Sequence, residues 1–120
     1  MKKKILIVED EILIGMMLTE NMKDFGFLPY EVATSAEEAL KAVETEPPDA
    51  ILMDISLSGT MDGIETAKRI KQKTNIPILF FTGYQDTQLL ERAAATKPFA
   101  ILDKLGPPEA IKEALDKVFP

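Results

Sequence analysis

The feature of this 120-residue chain that most constrains its fold is an alternation of short apolar runs with longer segments of helical periodicity. Continuous apolar runs predict strands at 5–8, 50–53, 78–81 and 99–102, and a weaker strand is predicted at 28–33. Helical segments separate these strands. Because a strand, a helix and a further strand form a βαβ unit, the pattern predicts a parallel α/β sheet with helices on both faces.

Start and stop signals locate five predicted helices. The first covers 11–25, the second begins with a capping box at 35–38, and Asp62 caps the third. The fourth spans 86–95, and Pro107 introduces the last. The predicted inward face of the first helix consists of Ile14, Met17, Leu18, Met22 and Phe25.

Charge and composition exclude several classes of function. The net charge of −6 argues against a nucleic-acid surface, which needs clustered Lys and Arg. The chain has no cysteine and no histidine, so disulfides, thiolate sites and histidine chemistry within the chain are excluded. No apolar run approaches the roughly 20 residues needed to cross a bilayer. We therefore expect a cytoplasmic protein that binds neither membranes nor nucleic acids directly.

Charged and polar residues follow most of the predicted strands. In parallel α/β sheets, ligands bind beyond these carboxyl ends. The residues are Glu9, Asp10 and Glu11 after the first strand, Asp54 after the third, Thr82 after the fourth, and Asp103 and Lys104 after the fifth. Carboxylates without His or Cys suit a hard ion such as Mg²⁺, and an ammonium and a hydroxyl would stabilise charge on a phosphoryl group. The pattern predicts a metal-dependent phosphoryl site with a carboxylate nucleophile, and leaves open which carboxylate is attacked.

Short motifs along the chain resemble, in order, those of the receiver domains of two-component response regulators. Segment 5–11 resembles the family's first strand and acidic pair. Segments 53–54 and 61–63 resemble its phosphoacceptor region, and 81–83 resembles its switch threonine. The resemblance implies one receiver domain over 1–120, with a flavodoxin-like fold and a five-stranded parallel sheet in the order 2-1-3-4-5.

The resemblance also implies a role for each site residue. Asp54 would be the phosphoacceptor and a metal ligand. Asp10 would bind Mg²⁺ or Mn²⁺ directly, Glu9 would act mainly through a bound water, and the backbone carbonyl of Ser56 would complete the protein's ligands. Thr82 would hydrogen-bond the phosphoryl group and report its presence.

Two lysines are candidates for the lysine that usually ends the fifth strand in this family. Lys97 belongs to a Lys-Pro-Phe sequence of the kind that usually ends the fifth strand, but here it precedes the apolar run 99–102. That position would be roughly 15–20 Å from the predicted site, at about 3.3 Å per residue. Lys104 follows the run and lies 22 residues after Thr82, which fits the family's usual interval. We therefore assign the role to Lys104.

The sequence departs from the family pattern at several positions. Leu105 follows Lys104 where the family has a proline with a cis bond, so a trans bond is predicted. Ile101 replaces an aromatic switch residue, which puts the usual coupling of the threonine to an aromatic flip in doubt. Segment 58–60 replaces a loop that more commonly contains proline, with little expected chemical consequence. Ser56 and Tyr84 occupy positions that influence the lifetime of the phosphoryl group in this family; a surface tyrosine without a kinetic role is the alternative for Tyr84.

The expected partners are a histidine kinase or a histidine phosphotransfer protein as phosphodonor. A downstream protein or effector domain would bind the face of the fourth helix, fifth strand and fifth helix. The chain would be no enzyme beyond its own phosphorylation and dephosphorylation. Its end suits both a stand-alone regulator and a fragment of a longer protein.

Three other functions are compatible with a parallel α/β sheet that carries acids at its carboxyl edge. An aspartate-nucleophile phosphatase usually has a second aspartate two residues after the nucleophile, where this chain has Ser56. A flavin-mononucleotide binder would need a phosphate loop after the first strand, where Glu9, Asp10 and Glu11 would repel a phosphate. A receiver that acts only as an interaction scaffold stays open.

Overall fold

The computed structural model describes residues 1–59, 61–83 and 86–120, in which strands and helices alternate as predicted. The strands are β1 (Lys4–Val8), β2 (Leu28–Pro29), β3 (Ala50–Asp54), β4 (Ile78–Thr82) and β5 (Ala100–Asp103). The helices are α1 (Ile12–Asp24), α2 (Ala36–Thr45), α3 (Gly63–Lys73), α4 (Thr87–Ala95) and α5 (Pro108–Val118). All strand pairs are parallel, and the order β2-β1-β3-β4-β5 confirms the predicted topology.

The sheet separates two hydrophobic clusters, one on each face. On the first face, β-strand side chains such as Met53 and Phe80 pack with α2, α3 and α4. On the second face, residues such as Leu52 and Phe81 pack with Leu18 of α1 and Leu115 of α5. Strands β3 and β4 are buried along their whole length, as expected for parallel strands covered on both sides.

The second strand is shorter than predicted. Regular pairing covers only Leu28 and Pro29, although a strand was predicted over 28–33. The chain still bonds to β1 further on, since the N–H groups of Tyr30 and Ala33 donate to the carbonyls of Ile5 and Ile7. Between these two bonds the chain advances by three residues on this edge but by only two on β1. The extra residue interrupts the regular hydrogen bonding between the two strands.

The orientation of α1 also differs in part from the prediction. Leu18 and Met22 are buried as expected, but Met17 is 48% exposed. Gly15 is buried instead, and a β-carbon on residue 15 would lie only 3.2 Å from Cγ1 of Val32. Because a glycine admits this close neighbour, α1 turns its Gly15 side inward. Ile12, Leu13 and Met16 consequently lie on its exposed face.

Helix caps account for the predicted helix starts. The carboxylate of Asp62 accepts a hydrogen bond from the N–H of Glu65 at the start of α3. Ser35 accepts one from the N–H of Glu38, but the Glu38 carboxylate bonds to the N–H and hydroxyl of Thr34 rather than to the N–H of Ser35. The predicted capping box is thus formed in one direction only.

Among the helices of the described ranges, none combines the length and apolar character that a membrane span requires.

Candidate functional site

The candidate site lies at the carboxyl edge of the sheet, where four strands end side by side. Val8 pairs with Met53, so Glu9 comes next to Asp54 across the β1–β3 boundary. Asp54 pairs with Phe81, and Thr82 pairs with Asp103, so Lys104 emerges one residue beyond β5. Regular pairing therefore brings to one edge residues that are far apart in the sequence.

Three carboxylates and one ammonium group form the centre of the site. Glu9, Asp10 and Asp54 each offer an oxygen, and these oxygens all lie within 4.8 Å of one another. The Nζ of Lys104 lies 2.9 Å from Oε1 of Glu9 and 3.1 Å from Oδ2 of Asp54. Glu9 and Asp54 are buried, whereas Asp10 is half-buried. Thr82 is buried at the neighbouring strand end.

Burial and mutual repulsion change the ionisation of these groups. Burial, together with the neighbouring Asp54, raises the pKa of Glu9 to about 7, although Lys104 acts in the opposite direction. Burial lowers the pKa of Lys104, but its hydrogen bonds to Glu9 and Asp54 outweigh this effect and raise it overall. Such an arrangement holds a charged lysine beside a carboxylate that readily takes up a proton.

Asp10 responds differently because it is held by hydrogen bonds at the edge of the site. Partial burial raises its pKa, but the hydroxyl and backbone N–H of Ser58, with a smaller contribution from Glu9, outweigh this effect and lower it. Asp10 therefore stays ionised to lower pH than an ordinary aspartate.

A backbone N–H donates to each carboxylate of the cluster. The N–H of Ser56 lies 3.1 Å from Oδ1 of Asp54, and that of Ser58 lies 3.0 Å from Oδ2 of Asp10. The N–H of Glu11 makes a longer contact of 3.4 Å with Oε2 of Glu9. Two of these donors belong to residues 55–59, the described segment directly after β3, which therefore lies beside the cluster.

The structure places the two candidate lysines at opposite ends of β5. Lys104 contacts Glu9 and Asp54, as predicted. Lys97 is exposed beyond the amino end of β5, where the N–H of Phe99 donates to the carbonyl of Ile78 at the start of β4. The Lys-Pro-Phe motif is therefore remote from the carboxylate cluster.

The remaining predicted positions lie in different environments. Ser56 is half-buried beside Asp54, and Ile101 is half-buried against the hydrophobic cluster of the first face. No cis peptide bond occurs in the described ranges, so the bond between Lys104 and Leu105 is trans, as predicted. Tyr84 lies outside the described residues.

The donor set fits a hard divalent cation. All available ligands are oxygens, and two of the three carboxylates are buried side by side, where a cation would relieve their repulsion. Glu9, Asp10 and Asp54 are the side chains that would hold Mg²⁺ or Mn²⁺.

The fold and the site together define a flavodoxin-like α/β protein with an acidic cluster at the switch point of its sheet. The sequence matches the response regulator receiver domain family over residues 5–116. The chain therefore belongs to this family of receiver domains, which act in two-component signalling systems.

Known relatives support the same membership. The transcriptional regulatory protein PdtaR of Mycobacterium tuberculosis is 34% identical over an alignment of 108 positions, which covers 84% of this chain and 52% of PdtaR. Sporulation initiation phosphotransferase F of Bacillus subtilis is 31% identical over an alignment of 121 positions, which covers 100% of this chain and 96% of the phosphotransferase. The chain thus spans about half the length of PdtaR and nearly all of the phosphotransferase.

A solved structure gives the same result for the fold. The signal receiver domain of a modulated diguanylate cyclase from Desulfovibrio desulfuricans superposes with a TM-score of 0.91 at 32% identity. The superposition covers 98% of this chain and 94% of that domain.

Two contributions to the site were missed by sequence reasoning. The N–H of Ser58 reaches Asp10, and the ring of Phe81 lies under Lys104, with Nζ 5.2 Å from the ring centroid. The contact of Ser58 could have been inferred from the sequence, because segment 58–60 replaces a loop that more commonly contains proline. Only a non-proline residue has an N–H to donate. Nothing in the local sequence indicated the second.

Proposed function

We propose that this chain is a phosphoacceptor receiver domain, in which Asp54 takes a phosphoryl group from a phosphohistidine donor in the presence of Mg²⁺ or Mn²⁺. The observation that carries the proposal is the placement of Asp54, which lies buried between Glu9, Asp10 and the ammonium group of Lys104. The relative named as a phosphotransferase adds support, because the chain covers nearly all of it.

The proposed reaction uses a carboxylate oxygen of Asp54 as nucleophile. This oxygen forms a bond to phosphorus as the bond between phosphorus and the donor's imidazole nitrogen breaks, and the nitrogen keeps the electron pair. A bound divalent cation would neutralise charge on the transferred oxygens. Lys104 would stabilise the same charge, and Thr82 would donate a hydrogen bond to the acyl phosphate. Water attack on that acyl phosphate would return the free aspartate.

The rival chemistries fit the site less well. An aspartate-nucleophile phosphatase usually has a second aspartate two residues after the nucleophile, whereas residue 56 is a serine whose backbone N–H donates to Asp54. A flavin phosphate would have to lie against the buried carboxyl groups of Glu9 and Asp54. We therefore propose that the chain has no catalytic turnover beyond its own phosphorylation cycle.

A histidine kinase or histidine phosphotransfer protein is the proposed donor, and the cytoplasm is the proposed location. The proposed output surface comprises α4, β5 and α5, with Leu105 86% exposed beside it. Because the chain spans only about half the length of PdtaR, the donor, the location and the output surface are proposals.

Intact-mass analysis after incubation with acetyl phosphate and Mg²⁺ tests the proposal. The expected result is the gain of one phosphoryl group by the wild type, and none by Asp54→Asn or by the wild type with a chelator. An unmodified wild type that also fails to bind beryllofluoride with Mg²⁺ would overturn the phosphorylation proposal in favour of the scaffold function.

A further inference from the structure

The segment between β3 and α3 is tied to Asp10, which follows β1. The N–H of Ser58 donates to Oδ2 of Asp10 at 3.0 Å, across 48 residues of sequence. This bond therefore links the loop directly after Asp54, the proposed phosphoacceptor, to Asp10, which is proposed to bind the metal directly.

The neighbours of Ser58 hold its N–H in this direction. Ile55 and Leu57 are buried in the hydrophobic cluster of the first face, so their side chains anchor the segment to the core. The N–H of Ser56 donates to Oδ1 of Asp54, two residues earlier in the chain. Gly59 follows with a φ of 104°, a conformation that favours glycine, and turns the chain away directly after Ser58.

Asp10 needs such support more than the other two carboxylates do. Glu9 and Asp54 are buried, whereas Asp10 is only half-buried. A half-exposed aspartate can rotate into solvent, and fixing it on binding a metal costs conformational entropy. The bond from the Ser58 N–H holds Oδ2 of Asp10 at the edge of the cluster.

We propose that the backbone N–H of Ser58 is a positioning group for the metal site, which holds the carboxylate of Asp10 towards Glu9 and Asp54 and thereby raises metal affinity. The inference rests on the proposed function, since it concerns the metal that the phosphorylation needs. It also gives a chemical consequence to the loop at 58–60, for which none was expected from the sequence. A chain with proline at position 58 has no N–H there and cannot make this bond.

Two substitutions at the same position separate the backbone N–H from the side chain. Ser58→Ala removes the hydroxyl and retains the N–H, whereas Ser58→Pro lacks both. Loss of a group that orients a metal ligand typically weakens metal binding by about 10- to 100-fold. We expect Ser58→Pro to bind Mn²⁺ and Mg²⁺ at least about tenfold more weakly than Ser58→Ala, whose own difference from wild type measures the contribution of the hydroxyl.

The readout is metal affinity without any phosphodonor, measured by calorimetry for Mg²⁺ and by the paramagnetic signal of free Mn²⁺. Circular dichroism and urea unfolding check that both variants are folded. Equal affinities of the two variants, with a wild type that binds metal, would overturn the positioning role and leave the proposed function intact. A wild type that binds neither metal would overturn both.

Hydrogen exchange of the wild type provides a measurement that does not depend on any substitution at position 58. The Ser58 amide should exchange slowly in the metal-free protein and remain protected with Mg²⁺, because one oxygen of Asp10 stays bound to it. In Asp10→Ala the same amide should exchange at least about tenfold faster. Rapid exchange in the wild type, or its onset on adding Mg²⁺, would show that the bond does not position Asp10 for the metal.

Discussion

At the scale of single residues, the site is governed by one ammonium group between two buried carboxylates. Lys104 contacts both Glu9 and Asp54, and its side chain is only 15% exposed. Two negative charges in such a place repel, so Glu9 has a raised pKa and readily takes up a proton. A metal ion that binds here must displace this proton, and affinity therefore depends on pH.

The pKa of Glu9 predicts the direction of that dependence. With a value of about 7, Glu9 is largely protonated at pH 6 and largely ionised at pH 8. Mg²⁺ affinity should therefore rise about tenfold from pH 6 to pH 8, since one proton competes with the metal over this interval. Calorimetric titration at three pH values measures the slope. In Glu9→Gln the slope should vanish over the same range, and an unchanged slope would assign the proton to another group.

Removal of the central cation should destabilise the metal-free protein. Lys104→Met leaves two buried carboxylates without their counter-ion, which typically costs about 3 kcal/mol of unfolding free energy. The loss should be smaller at pH 5, where Glu9 is protonated and carries no charge. Urea unfolding in the presence of a chelator measures both values.

Lys97→Met provides the matched control for that experiment. It removes the same charge from an exposed lysine at the opposite end of β5. Its unfolding free energy should stay within about 0.5 kcal/mol of wild type. Equal losses in the two variants would show that net charge, rather than the contact with Glu9 and Asp54, determines the effect.

At the scale of elements, the close approach of α3 to β3 determines how the phosphoacceptor strand ends. Gly63 is the first residue of α3, and its N–H donates to the carbonyl of Ile55. A β-carbon on residue 63 would lie 2.0 Å from the backbone oxygen of Asp54. The helix can therefore approach the strand this closely only if residue 63 has no side chain.

A methyl group at this position should force the two elements apart. Gly63→Ala would gain up to about 1 kcal/mol in helix propensity, yet we expect a net loss of about 2 kcal/mol in unfolding free energy because the contact is with backbone atoms. The midpoint of denaturant unfolding measures this loss of stability. In the control Gly83→Ala, the nearest contact would be an ordinary 3.8 Å to the Lys104 side chain, and little change is expected. A neutral Gly63→Ala would mean that α3 shifts freely on β3.

At the scale of the whole molecule, the site joins parts of the fold that are otherwise connected only through the sheet. Glu9 and Asp10 follow β1, Asp54 ends β3, and Lys104 follows β5. A ligand that binds these residues together favours the folded chain over the unfolded one, in which they are far apart. Metal binding and global stability are therefore linked.

Mg²⁺ should raise the thermal unfolding temperature. At a concentration 100 times the dissociation constant, the linked stabilisation is about 2.7 kcal/mol. Differential scanning calorimetry with and without the metal measures the shift. Asp54→Asn should be at least as stable as wild type in the presence of a chelator, since it removes one repelling charge, and should lose most of the shift. A full shift in this variant would place the metal elsewhere.

The chain order of the elements and the position of the acids could be predicted from local patterns. Strand runs, caps and the position of Lys104 after the fifth strand depend on residues close together in the sequence. Two local predictions failed where a distant neighbour intervened. Met17 is turned outward because Gly15 packs against Val32, and the second strand is interrupted where its pairing with β1 contains an extra residue.

Local sequence patterns predict which side chains reach the carboxyl edge of the sheet, because strands that run parallel all end at the same edge. How those side chains meet depends on tertiary packing. The sharing of Lys104 between Glu9 and Asp54, the bond from Ser58 to Asp10 and the fit of Gly63 against Asp54 all join residues of different elements. Their distances follow from how strands, helices and loops pack together, which no local pattern records.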